Sequence, residues 1–165
     1  RAVGVDDVGA AVGVTGPAIY RHFAGKDAML AEMLLRISER LLVGGTERVA
    51  AAGADPAAQL RALVEFQVDF ALDNPALITV HDRDLGSLAD DDAAQVRRLQ
   101  RRYVEVWVAV LARVHPTAEA AACRARAHAV FGLINSTPHS AGRLDRAAMA
   151  ALLAWMAWAA ATAPV

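Results

Sequence analysis

Apolar residues recur at helical spacing along this chain, and glycine or proline interrupts that pattern at only a few positions. The 165 residues include 11 Gly and 6 Pro, and the stretches between these breaks are dominated by Ala, Leu, Arg, Glu and Asp. Such a mixture favours helices, whereas strands favour β-branched and aromatic residues. No stretch shows the sustained alternation of apolar and polar residues that predicts a strand. The sequence therefore predicts an all-α fold.

The breaks divide the chain into eight predicted helices. Glycine ends a helix readily, as expected at Gly13 and Gly53. Proline in the first turn, as at Pro17, lacks only a donor that would have no partner there. The predicted helices cover about residues 4–12, 16–23, 26–52, 56–73, 75–81, 93–114, 117–134 and 145–161. A small N-terminal unit of short helices thus precedes a larger bundle.

The overall composition is that of a folded protein in a reducing compartment. Hydrophobic residues make up 56% of the chain, and 17 basic residues nearly balance 18 acidic ones, which excludes a disordered chain. The length suits one compact domain, or two small ones that share a core. Cys123 is the single cysteine, so no disulfide framework forms within the chain, and no Cys and His cluster has zinc spacing. We expect a cytoplasmic protein without a cofactor.

The C-terminal stretch, residues 147–165, contains no charged residue and approaches the length of a membrane span, which takes about 20 apolar residues. Most of it is alanine, which partitions weakly into lipid but lets helices approach closely. We therefore expect a helix buried in the bundle or between subunits, and no contact with a membrane. The chain does not open with a basic segment followed by an apolar one, so no secretory signal is expected.

Two short helices joined by a tight turn at Gly13 form the one specific motif of the sequence. The absence of a side chain at Gly9 lets the two helices cross at close range. Val8, Val12 and Ile19 supply a small core for the pair. This is the layout of a helix-turn-helix, which places its second helix in the major groove of DNA.

The outward residues of the second helix suit contact with DNA. Small residues near its start let the helix approach base edges, and a threonine or alanine methyl there can touch a thymine methyl. Hydroxyl, imidazole and lysine groups further along can hold phosphates, with the amides of the next helix assisting the lysine. The predicted DNA-binding residues are Thr15, Gly16, Pro17, Ala18, Tyr20, Arg21, His22 and Lys26.

Residues 5–30 read VDDVGAAVGVTGPAIYRHFAGKDAML and resemble the signature of TetR-family transcriptional regulators. The Gly-Val-Thr turn at residues 13–15, the Tyr-x-His-Phe ending at residues 20–23 and Lys26 fit that pattern position by position. Family members normally carry a further helix and an often basic arm before this motif. We therefore expect a segment before Arg1 to complete the DNA-binding unit and to supply part of its phosphate-binding charge.

The resemblance implies a division of labour along the chain. Residues 1–48 would form the DNA-binding domain with its connecting helix, and residues 49–165 the ligand-binding and dimerisation domain. It implies a repressor that binds a palindromic operator as a homodimer, because a twofold dimer reads two half-sites roughly 34–36 Å apart. A small apolar effector in the bundle would move the connecting helix and release the operator.

The last two predicted helices are the best candidates for the dimer seam, because small residues on both allow close approach. Simple burial within one subunit is the alternative. The predicted seam residues are Ala120, Ala121, Ala125 and Ala127 on one helix and Leu152, Trp155 and Met156 on the other.

Bulky and amphipathic residues on the middle helices predict the effector site. Each of them alone is more typical of a core position, but together they place polar side chains among apolar ones, as ligand sites do. The predicted ligand-binding residues are Phe66, Phe70, Ile78, His81, Leu85, Tyr103, Trp107, His128, Phe131 and Asn135. They indicate an apolar effector with a few polar atoms.

The excess of arginine, with 16 Arg against one Lys, and residues 115–140 are together similar to actinobacterial regulators of lipid or sterol breakdown. That resemblance implies an acyl-CoA thioester as effector. An aromatic drug-like compound or another metabolite is the alternative.

Two other classes of protein compete with a regulator. His81, two nearby aspartates and Ser87 lie close in sequence, but no nucleophile elbow or phosphate-binding glycine loop accompanies them, so a small hydrolase is not expected. Three consecutive acids at residues 90–92 lack the spacing of a calcium loop and are expected to cap the helix that follows. A helical interaction module without sequence-specific DNA binding is the second rival, which loss of operator binding on substitution of Tyr20 or His22 would exclude.

Overall fold

The computed structural model describes residues 26–84, 88–140 and 144–164. Regular structure in these three stretches is helical throughout, which confirms the predicted fold class. In chain order the helices are α1 (Lys26–Ala51), α2 (Pro56–Asp73), α3 (Pro75–Asp84), α4 (Asp90–Val114), α5 (Ala120–Ile134), α6 (Thr137–Ser140) and α7 (Arg146–Thr162). None of these helices is long and apolar enough to cross a membrane. The two short helices predicted before residue 24 lie outside the described residues.

Helix ends in the bundle follow the breaks in the sequence. Just beyond α1, Gly53 has a φ of 76°, a left-handed conformation that glycine adopts without strain. Asp55 then caps α2, since its carboxylate accepts hydrogen bonds from two backbone N–H groups of the first turn at 3.0 and 3.2 Å. Asp145 caps α7 in the same way, at 2.9 Å. Such caps satisfy donors that have no partner within the helix.

Two helix starts differ from the prediction. α4 begins at Asp90 with Ala89 as its cap residue, and no side chain caps it. The three acids therefore occupy the first turn, where the positive end of the helix dipole favours them, and the prediction that they cap the helix is wrong. α5 begins three residues later than predicted, because the Ala118 N–H donates to the His115 carbonyl at 3.0 Å and closes a turn there.

The short helix α6 lies where the sequence predicts a loop. Its first residue, Thr137, is buried, and its hydroxyl donates to the carbonyl of Ala71 on α2 at 3.1 Å. This hydrogen bond fixes the segment between α5 and α7 against the bundle.

Two apolar clusters hold the bundle together, and α1 packs against both. The larger joins α2, α4, α5 and α7 around the fully buried Trp107, with Leu41 and Leu42 of α1 packed against it. The smaller joins the N-terminal half of α1 to α3 and α4. Its buried members are Leu30, Ala31, Leu34, Val80, Leu88, Ala93 and Val96. α1 thus extends from the predicted DNA-binding segment to the main core.

Candidate functional site

Most predicted DNA-binding residues, from Thr15 to His22, lie outside the described residues. Lys26 is described by its backbone alone, as the first residue of α1. The recognition segment therefore leads directly into the long helix that crosses the bundle.

Three predicted ligand-binding aromatics meet in the interior of the bundle. The ring centroids of Trp107 and Phe131 are 4.9 Å apart, and those of Tyr103 and Phe131 are 5.7 Å apart. Tyr103 and Trp107, one turn apart on α4, pack edge to face with centroids 6.5 Å apart. Trp107 is fully buried, Tyr103 nearly so, and Phe131 half-buried. The aromatic part of the predicted site is therefore a real cluster that joins α4 to α5.

A chain of hydrogen bonds crosses this aromatic cluster. The Tyr103 hydroxyl donates to Gln67 Oε1 at 3.0 Å, and Gln67 Nε2 donates to Asn135 Oδ1 at 3.1 Å. Gln67 is only 3% exposed. Tyr103 and Asn135 belong to the predicted set, whereas the prediction omitted Gln67. A glutamine at an inward position of the apolar stripe of α2 is the sequence signal that could have identified it.

Trp107 brings a further polar atom into the same interior. Its indole Nε1 is buried and forms no hydrogen bond. It lies close enough to the Tyr103 hydroxyl to oppose in part the shift of that group, whose pKa burial raises well above its usual range. Tyr103 therefore stays protonated, while the indole N–H remains a donor without an acceptor.

The other predicted ligand-binding residues are distributed differently. Phe66 is half-buried, and Phe70 and Ile78 are buried in the bundle. His128 is exposed on α5, so the prediction that it faces the interior is wrong. The buried side of α5 is formed instead by Cys123, Ala127, Val130 and Ile134. Leu85 and the side chain of His81 lie outside the described residues.

Two consecutive glycines bring α1 against this interior. A Cβ at Gly44 would lie 2.5 Å from the tip of the Phe66 ring, and a Cβ at Gly45 would lie 2.5 Å from Tyr103 Cε2. Only residues without a side chain allow such proximity. The sequence analysis did not assign these glycines a role, because their effect depends on which helices pack against α1.

An apolar surface covers the outer face of α7. Leu152, Trp155 and Met156 are 41%, 68% and 39% exposed, and all three belong to the predicted dimer seam. The seam alanines at positions 120, 121 and 125 are also exposed. Ala127 is fully buried within the subunit's own core, so its inclusion in the seam is wrong. We call the remaining six residues the α5–α7 face.

An open groove of about 230 Å³ lies between α2 and α7, at the margin of this face. The Arg61 guanidinium stacks on the Trp158 ring, 4.3 Å from its centroid. The groove is lined by Arg61, Val64, Glu65, Ala154, Trp155 and Trp158. In the described parts of the chain, no three His, Cys, Asp or Glu side chains are grouped to hold a metal ion.

Comparison with protein families decides which class of protein carries this site. Residues 53–160 match the family described as tetracyclin repressor-like, C-terminal domain. Residues 1–33 match the family described as bacterial regulatory proteins, tetR family. The chain belongs to the TetR family. As a TetR-family protein it is a transcriptional regulator and not an enzyme, with its helix-turn-helix domain at the N-terminus.

Individual proteins similar to this TetR-family chain are regulators as well. The HTH-type transcriptional repressor KstR2 of Rhodococcus jostii (strain RHA1) is 27% identical over 112 residues, which cover 67% of this chain and 54% of that protein. The chain thus spans about half the length of that relative.

Solved structures share the fold. A TetR-family regulator from Bordetella parapertussis 12822 matches with a TM-score of 0.74 and 19% identity, covering 93% of this chain and 82% of that one. The regulator PfmR from Thermus thermophilus matches at 0.73 and 21% identity, covering 95% and 88%. A regulatory protein of the tetR family from Rhodococcus RHA1 matches at 0.71 and 19%, covering 96% and 86%.

Proposed function

We propose that this TetR-family protein is a repressor that binds a palindromic operator as a homodimer and is released by a small apolar effector in its bundle. The observation that carries the proposal is the polar chain of Tyr103, Gln67 and Asn135, with the unpartnered Trp107 N–H, inside an aromatic interior. Buried polar atoms cost free energy unless they are paired, so an interior serving stability alone would avoid them. A ligand site uses a few such groups to orient its ligand.

The proposed DNA contacts are those of the second helix of the motif. Thr15, Gly16, Pro17 and Ala18 would approach base edges, while Tyr20, Arg21, His22 and Lys26 would position the helix on phosphates. The family match over residues 1–33 supports this assignment. We place the boundary between the DNA-binding and effector domains at residue 48, near the end of α1, so that α1 belongs to the first and packs on the second. A regulator of this kind acts in the cytoplasm.

The α5–α7 face is the proposed dimer interface. Its large exposed apolar side chains are costly in a monomer, and extensive exposed apolar patches mark association sites. The neighbouring groove adds Arg61 and two tryptophans, residue types that are enriched in the central contacts of interfaces. A twofold axis through this face would place the two recognition helices on one side of the dimer.

The proposed effector is an amphiphile whose apolar body fills the aromatic cluster. A carbonyl or similar oxygen would accept the Trp107 N–H, because that donor lacks a partner. An acyl-CoA thioester has both parts and is our first candidate for the effector. The printed description of KstR2 as a repressor supports repression as the direction of control.

The proposal is tested with the full-length protein and the DNA upstream of its own gene. We expect footprints over two half-sites, a dimer in solution, and release of the DNA by the compound that mass spectrometry identifies in purified protein. His22→Ala should abolish footprinting. His139→Ala, at an exposed position on α6, is the matched control and should not. Unchanged DNA affinity in the His22 variant would instead indicate an interaction module.

A further inference from the structure

We propose that Tyr103 transmits the state of the core to α1 through its contact with Gly45. This inference rests on the effector-released repressor proposed above and names the residue pair through which its regulation operates. A displaced Tyr103 ring would press on the α1 backbone itself, because Gly45 has no side chain to yield.

The contact is close and lies in the middle of the helix. A Cβ at Gly45 would be 2.5 Å from Tyr103 Cε2 and 3.3 Å from Cδ2, with Leu63 Cδ2 at 3.5 Å. Glycine is otherwise disfavoured inside a helix. The ring edge of Tyr103 thus rests directly on the main chain of α1, and movement of either requires movement of the other.

Gly45 differs from its neighbour Gly44 in what it meets. The atom nearest a Cβ at Gly44 would be Cζ of Phe66, the tip of a half-buried ring, which can swing aside. Tyr103 is 5% exposed and its hydroxyl is held by Gln67. Its ring therefore cannot yield without breaking the buried polar chain, so only the Gly45 contact is stiff.

The polar chain supplies a reason for Tyr103 to move. Its hydroxyl is bonded to Gln67, and the unpartnered Trp107 N–H lies beside it. A ligand oxygen that accepts from Trp107 must occupy space next to the Tyr103 hydroxyl. The ring is packed against Trp107 and Phe131 on its other contacts, so its displacement bears on Gly45.

α1 is long enough to convert a small displacement into a large one. The residues from Lys26 to Gly45 span about 28 Å of helix, so a tilt of about 10° moves the Lys26 end by about 5 Å. The smaller cluster, which holds Leu30 and Leu34 against α4, must repack in the process. Hydrogen exchange in this part of α1 therefore reports the movement without any DNA.

The experiment compares Gly45→Ala with Gly44→Ala in the full-length protein. Both substitutions raise helix propensity equally, but only the first drives a methyl group into Tyr103. We expect Gly45→Ala to speed hydrogen exchange across residues 28–36 and to weaken binding to the protein's own promoter by about 5-fold to 150-fold. Gly44→Ala should behave like the wild type in both measurements.

A double variant guards against simple misfolding. In Gly45→Ala combined with Tyr103→Leu, the shorter side chain leaves room for the new methyl. We expect exchange rates and DNA affinity to return to those of Tyr103→Leu alone. Equal behaviour of the two alanine variants, or no recovery in the double variant, would overturn the inference. If the wild type ignores its promoter, the proposed function fails, whereas the exchange comparison still decides whether Tyr103 and α1 are coupled.

Discussion

Gln67 on α2 accepts a hydrogen bond from the hydroxyl of Tyr103 on α4, with 3.0 Å between the oxygens. Both side chains are buried. Gln67 is oriented by its second hydrogen bond, to Asn135 at the end of α5. Three helices are thereby joined through polar atoms at the point where the aromatic cluster meets α1. Loss of one member leaves the others buried without partners, which makes the arrangement sensitive to single substitutions.

Gln67→Leu should destabilise the protein by about 1–3 kcal/mol, because the Tyr103 hydroxyl and the Asn135 amide lose a partner while remaining buried. The measurement is the free energy of unfolding in urea at neutral pH. Tyr103→Phe should partly compensate, since it removes the stranded hydroxyl. In a double-mutant cycle the combined loss should be smaller than the sum of the single losses. Strict additivity would mean that the two side chains do not interact.

The stability of the protein should fall above pH 10 in a way that depends on Tyr103. Burial raises the pKa of Tyr103 in the folded protein, whereas in the unfolded chain it is about 10. Above that pH the unfolded state releases a proton that the folded state retains, so the free energy of unfolding falls by up to about 1.4 kcal/mol per pH unit. Urea unfolding at pH 9, 10 and 11 measures this slope.

Tyr103→Phe is the comparison for that slope, because it removes the hydroxyl that titrates. We expect the variant to lose less stability than the wild type between pH 9 and pH 11. Identical slopes would show that Tyr103 ionises as readily in the folded protein as in the unfolded chain.

Trp107→Phe should cost far less than Trp107→Ala. The indole N–H has no hydrogen-bond partner, so its removal forfeits only packing and relieves an unsatisfied donor. We expect a loss of about 1–2 kcal/mol for phenylalanine against about 3–5 kcal/mol for alanine. Thermal and urea unfolding of the two variants measure the difference. A phenylalanine variant as unstable as the alanine variant would indicate that the N–H is satisfied in solution.

Local signals predicted the helices well, because helix ends depend on residues close in sequence. Gly53 and Asp55 end one helix and cap the next as local chemistry requires. Tyr103 and Trp107, four positions apart, lie on one face of α4 for the same reason. α6 was not predicted, since its position depends on a hydrogen bond between Thr137 and the distant Ala71.

Residues whose role depends on a particular neighbouring helix were harder to predict. α5 is rich in small residues on all sides, so its apolar pattern does not define an inner face. The sequence therefore did not show that Cys123 faces the core and His128 the surface. Gly45 has a similar difficulty, because a glycine within a helical stretch does not indicate which ring it meets. Packing partners, not propensities, determine these positions.

Trp155→Glu should convert the proposed dimer to a monomer. Trp155 is 68% exposed and lies on the α5–α7 face, where a second subunit would bury it beside Leu152 and Met156. A charge buried without a partner at the centre of an interface is strongly unfavourable. Sedimentation velocity measures the change in mass, and binding to the promoter should be lost with it because each half-site is then engaged singly.

Val43→Glu provides the matched control for the dimer prediction. Val43 is 54% exposed on α1, outside the α5–α7 face, so the same change of charge there should leave the mass in solution unaltered. The Trp155 variant should also keep its unfolding cooperativity, since its side chain contributes little to the subunit's own core. A dimer that persists in this variant would place the interface elsewhere, and dissociation of both variants would reflect added charge instead of a specific contact.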